Sequence, residues 1–144
     1  LICCAEVIAF DVFRARIKTT TDPVAKQILQ LIFRDEVRHC EFGWKYMEYR
    51  VPKMTSDDLA IVRNKVIWMM EEVELKGYHS SWLASSPNVT EMESDRVVYE
   101  AGLGATVEEV EKPILVKSVQ EMRERMRSWG IEIPLFEHPK MGTF

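Results

Sequence analysis

The sequence predicts an all-α fold, and three observations carry that prediction. Only six glycines and six prolines interrupt 144 residues. Apolar residues recur at helical spacing along most of the chain, and no alternating strand pattern persists. Cap residues punctuate the periodic stretches: Asp22 before Pro23, Thr55 with Asp58, and Gly130.

The first helix is expected from about Ile2 to Thr19, with Ile2, Glu6, Ala9, Phe13 and Ile17 along one side. "TTTDP" breaks it, Asp22 serving as N-cap and Pro23 as the first helical residue. The second helix then runs to about Arg50, ahead of Pro52, with Ile28, Ile32, Glu36, His39, Gly43 and Tyr46 on one face. A third opens at "TSDD", where Thr55 and Asp58 form a capping box, and is expected to reach about Ala84. It carries two apolar stripes, Leu59/Val62/Val66/Met69/Val73 and Ile61/Trp68/Leu75/Trp82. A short helix capped by Thr90, with Glu93 closing the box, should end near Gly102 or Gly104. The last helix covers "VEEVEKPILVKSVQEMRERMRSW", with a kink or restart at Pro113 and Gly130 as C-cap. Its "EMRERMR" segment reads as a solvated face with packing methionines. These helices form one domain over residues 1–130, and residues 131–144 form an extended C-terminal tail draped over the bundle.

Composition excludes several functions. A hydrophobic share of 47% and a charged share of 29% are those of a globular protein with room for one core. A formal charge of −4 and no basic stripe argue against nucleic acid. No apolar run approaches the ~20 residues of a membrane span, and no signal peptide is visible, so a cytoplasmic protein is expected. Cys3, Cys4 and Cys40 lack zinc-ligand spacing and read as buried free thiols in a reducing compartment. The opening "LICCAEVIAF" has no cap and reads as the inside of a helix, as in the C-terminal part of a longer or trimmed protein. Neither a glycine-rich phosphate loop nor a nucleophile motif occurs.

The stretch "RDEVRHCEFG", Arg34 to Gly43, carries the chemistry. Glu36 and His39, three residues apart, share one helix face. A carboxylate and an imidazole on an apolar face need a partner there. Glu6 is a second acid on an apolar face, and the midpoint between it and Glu36 falls at Thr21, inside the expected turn. In an antiparallel hairpin both lie roughly 22 Å from the turn at about 1.5 Å per residue. Glu6, Glu36 and His39 can therefore converge between the two helices. Two carboxylates and an imidazole suit iron or manganese better than the thiolate sets that select zinc. His79, with Glu72 seven residues before it, reads as structural or exposed, and His138 as solvated. Tyr46 lies on the metal-facing side, read as a core residue with a bonded hydroxyl.

"DEVRH" at Asp35–His39, preceded by an in-helix Glu6, resembles the C-terminal helix pair of the ferritin-like di-iron carboxylate proteins. Those bundles use one Glu from each of two helices and Glu-x-x-His from each of the other two. The resemblance covers roughly residues 1 to 50. It implies Glu6, Glu36 and His39 as metal ligands, Asp35 supporting the histidine from behind, and Arg38 holding nearby carboxylates. The implied cofactor is a pair of irons, or manganese. The implied function is an oxidoreductase or oxygenase acting on a small substrate, and no catalytic residue is assigned. A second Glu-x-x-His is missing, so half of the ligand set is present. The N-oxygenase branch adds a histidine one turn before this Glu, where the chain has Ile32. A second copy of the chain could complete the set, so a homodimer is expected. The face around Ile2, Ala9, Phe13, Ile28, Ile32 and Gly43 would otherwise be an exposed apolar patch. The competing readings are a non-catalytic helical scaffold or interaction protein and a simple, ferroxidase-like iron-binding module.

Overall fold

Asp22 closes the turn between the first two helices, α1 (Ile2–Thr19) and α2 (Pro23–Arg50). In the computed structural model, which describes residues 2–144 and their side chains from Ala5 onward, its carboxylate accepts from the amides of Val24 (3.0 Å) and Ala25 (2.8 Å). Expectations for the side chains of Ile2, Cys3 and Cys4 lie outside the described residues. α2 folds back along α1, and Phe10 stacks on Phe33 with ring centroids 4.7 Å apart. The turn is anchored from a distance. The carbonyl of Gly102 accepts from the amides of Thr21 (3.0 Å) and Asp22 (3.1 Å). Gly102 has φ +69°, and a Cβ there would stand 1.9 Å from Thr21 Oγ1. That contact and that backbone favour glycine.

α3 spans Ser56–Glu72, with the expected Thr55–Asp58 capping box, and stops well short of Ala84. Val73 leaves the helical conformation, at φ −124° and ψ −68°, and Gly77, at φ +100°, completes the turn away. After one 3-10 turn at Glu74–Lys76, the Gly77 amide donates to the Glu74 carbonyl (3.1 Å) and the Tyr78 amide to that of Val73 (3.3 Å). This is a left-handed glycine cap, and it reverses the chain. Ile61 and Trp68 of α3 are exposed, while Leu75, in the 3-10 turn, and Trp82, beyond the reversal, are buried. Trp82 Nε1 donates to the buried Glu111 carboxylate at 2.8 Å.

α4 covers Val89–Glu100 and ends ahead of Gly102, as expected, but its cap is Asn88. The Asn88 side chain accepts from the amides of Thr90 (3.1 Å) and Glu91 (3.3 Å), the bonds expected of Thr90 two residues later. α5, Glu108–Arg127, runs through Pro113 without restarting. It packs on α1, where Ser118 Oγ donates to Asp11 at 2.6 Å, and on α2, where Arg125 lies 4.2 Å above the Trp44 ring. Gly130 ends it at φ +77°, the Ile131 amide reaching back to the Met126 carbonyl at 3.1 Å.

The last residues close the core rather than drape over it. Ile131, Ile133, Phe136 and Phe144 are buried with Met122 and Met126 of α5. Phe136 and Phe144 exchange backbone hydrogen bonds of 2.9 and 3.0 Å, and β1 (Glu137–His138) pairs antiparallel with β2 (Gly142–Thr143). Arg123, expected on a solvated face, is buried and donates to the carbonyls of Phe144 (2.8 Å) and Pro134 (3.1 Å). This two-residue pairing is the only sheet among the described residues, and the fold is all-α in substance. Among the same residues, no helix is long and apolar enough to cross a membrane.

Candidate metal centre

The α1–α2 hairpin brings Glu6 level with Glu36 and His39. His39 Nδ1 lies 3.5 Å from Glu36 Oε2 and 3.9 Å from Glu6 Oε2. One potential ligand atom from each of the three side chains falls within 4.8 Å of the others. Their equal distance from the turn is what does this, as the spacing about Thr21 requires.

Burial is graded across the group. The side chains of Glu36, Glu6 and His39 are 17%, 28% and 58% exposed. The carboxylates are thus set into the seam and the imidazole forms the outer edge. Burial pushes the Glu6 carboxyl above its ordinary proton affinity, helped by the hydrogen bond and the negative charge of Glu36. The charges of His39 and His79 act in the opposite direction. Among the described residues neither Glu6 nor Glu36 pairs with a lysine or arginine. Two close carboxylates with no permanent counter-charge repel each other, and a bound cation relieves that.

The surroundings depart from expectation. Asp35 does not back His39. It lies in solvent, paired with Arg38 at 3.6 Å, and the described polar partners of His39 are Glu6 and Glu36. Tyr46 is exposed and stacks on Phe42, 6.2 Å between centroids, rather than sitting in the core. Of the expected apolar patch, Ala9 and Gly43 are buried within the chain and Phe13 is half-buried, while Ile28 and Ile32 are exposed. The exposed apolar row instead extends along α2 through Val24, Ile28, Leu31, Phe42 and Tyr49. Cys40 is a free, half-buried thiol whose proton affinity burial raises. It lines a cleft of about 620 Å³ with Phe10, Arg14, Val37, Trp44 and Arg125, a cleft that none of the three candidate ligands faces.

The other histidines are held inside the structure. His138 Nε2 donates to the Leu83 carbonyl at 3.0 Å, while Nδ1 accepts from the Lys140 amide at 3.3 Å, so the ring is half-buried rather than solvated. His79 pairs with Glu74 at 2.8 Å, while Glu72, its expected neighbour, pairs with Lys76. Glu74 is the residue that sequence reasoning missed. Gly77 in "ELKGYH" was the available signal, since a left-handed cap folds the following residues back onto the end of the helix. No family model, curated protein or solved structure matches the chain.

Proposed function

We propose that this chain is a metal-binding helical protein of ferritin-like type, which holds iron or manganese between α1 and α2 and works as an oxidoreductase on a small substrate. The observation that carries the reading is the convergence of Glu6, Glu36 and His39, with their ligand atoms within 4.8 Å of one another and no lysine or arginine paired with either acid among the described residues. The donors fit the metal: two carboxylates and an imidazole, with no thiolate among them. Iron in such a site supplies one-electron chemistry toward dioxygen.

The chain's own residues do the rest. Glu36 and Glu6 contribute anionic charge from within the seam, which favours the more oxidised ion. His39, at the open edge, leaves room on its solvent side for an oxidant or a substrate. A free Cys40 thiol fits a reducing, cytoplasmic setting.

The exposed apolar row of α2 favours a partner, and a second copy of this chain is the one its chemistry suits. A two-fold axis along that face sets two hairpins side by side and brings two sets of Glu6, Glu36 and His39 toward one another. The same row supports the second reading, a helical interaction protein without redox activity. Oxygen uptake by the ferrous protein separates the readings. Uptake that needs an added organic substrate supports the oxygenase, and uptake without one supports a ferroxidase-like module. No uptake by iron-loaded protein leaves the interaction protein.

A further inference from the structure

A carboxylate oxygen without a partner lies in the turn after α3. Glu74 is 2% exposed. Its Oε2 stands 2.8 Å from His79 Nδ1, while its Oε1 has no hydrogen-bond partner, alone in this among the buried side-chain oxygens and nitrogens of the described residues. A carboxylate taken out of water needs both oxygens met, and an unmet one points to a missing ion or donor. Within the described residues no lysine or arginine pairs with it.

The turn that makes this pair is tightly built. Gly77 holds φ +100°, and a Cβ on it would stand 3.1 Å from both Cβ and backbone N of Ala84. The chain reverses there, and His79 comes back onto Glu74 with its ring edge-on to Tyr78, 4.7 Å between centroids. The His79 side chain is 27% exposed, so the pair opens outward from the imidazole.

The 2.8 Å between Glu74 Oε2 and His79 Nδ1 is close to the ~3 Å that two donor atoms keep when each stands about 2.1 Å from one ion, at right angles. Within α2, His39 Nδ1 faces Glu36 in the same manner at 3.5 Å. A purely structural Glu–His pair would account for Oε2 and leave Oε1 unexplained.

We propose that Glu74 and His79 hold a metal ion of their own, in addition to the one held by Glu6, Glu36 and His39, so that a single chain carries ligands for two metal positions. The inference rests on the metal-binding reading of the hairpin and is independent of the dimer. His79 binds through Nδ1, its ring proton moving to Nε2 in the other neutral tautomer, and Glu74 Oε1 gains the cation it lacks.

Mn(II) titrated into the metal-free 144-residue protein, with free Mn(II) followed by electron paramagnetic resonance, tests this. The wild type should take up two ions per chain. Glu74→Gln/His79→Gln should take up one. The single variant His79→Gln, which keeps the size of the site, should weaken the second ion 10–100-fold and leave the first unchanged. Circular dichroism of each metal-free variant verifies that the helices remain. One ion per chain in the wild type, or two retained in Glu74→Gln/His79→Gln, overturns the second position and leaves the first standing. No Mn(II) bound by the wild type overturns both.

Discussion

Glu6 on α1 and His39 on α2 meet across the hairpin, carboxylate Oε2 to imidazole Nδ1, at 3.9 Å. Glu36 lies beside them with its own carboxylate 3.5 Å from the same nitrogen. Nothing in α1 or α2 alone holds such a group together. The turn at Asp22 does so, by giving the two helices a common origin.

That arrangement is costly without a metal, and the cost has a pH signature. Burial first, then the hydrogen bond and charge of Glu36, raises the Glu6 carboxyl above its ordinary value of 4.5. An acid raised in the folded state contributes stability that is fully present below the ordinary value and is lost as pH rises through the folded one. Metal-free protein should therefore melt at a lower temperature at pH 7 than at pH 5. Glu6→Gln should raise the melting temperature at pH 7 and flatten that dependence. An unchanged profile in Glu6→Gln would contradict the account.

Gly102 fixes the turn from outside, through its carbonyl and its φ of +69°. Gly102→Ala forces a side chain into the left-handed region at about 1–2 kcal/mol, and also presses on Thr21. Urea denaturation should show a lower midpoint with an unchanged slope. A neutral effect would mean that the α1–α2 turn stands without this support.

Asp22 caps α2 from within. Asp22→Ala should cost about 1 kcal/mol, lowering the melting temperature by about 3 °C. Asp22→Asn, which keeps an accepting oxygen, should recover most of the loss.

The C-terminal residues behave as core. Phe136 is 1% exposed and bonded through its backbone to Phe144. Phe136→Ala should destabilise the protein by about 3–5 kcal/mol. A loss below about 1 kcal/mol, the usual scale of a surface change, would restore the picture of a draped tail.

The exposed row on α2 makes a prediction about assembly. Light scattering at micromolar concentration should give a dimer, and Ile28→Lys/Phe42→Lys should convert it to a monomer with its helices intact. A wild-type monomer rules the dimer out.

What the sequence made legible was local or set by simple spacing. Asp22, Thr55 and Gly130 cap helices through residues within a few positions of themselves. Glu6 and Glu36 could be brought level by counting from Thr21, because a hairpin with one tight turn has one register. The end of α3 was hidden, because apolar residues at Leu75 and Trp82 continue the helical spacing past Val73, where the backbone has already left the helix. The Glu74–His79 pair exists only after that turn, so no helical interval announces it. Periodicity marks Ile28 and Ile32 as apolar but does not say what covers them, and among the described residues both stay exposed. Arg123 looked solvated because its partners, the carbonyls of Pro134 and Phe144, come from a tail whose packing is non-local.

The central claim is that Glu6, Glu36 and His39 bind a metal, and metal content tests it most directly. Wild type and Glu36→Ala/His39→Ala are each reconstituted with Fe(II) or Mn(II), stripped of loosely held ions and subjected to elemental analysis. The account predicts bound iron or manganese in the wild type and at least one ion per chain fewer in the variant, with the helical circular dichroism of both preserved. Equal metal in the two proteins would contradict it.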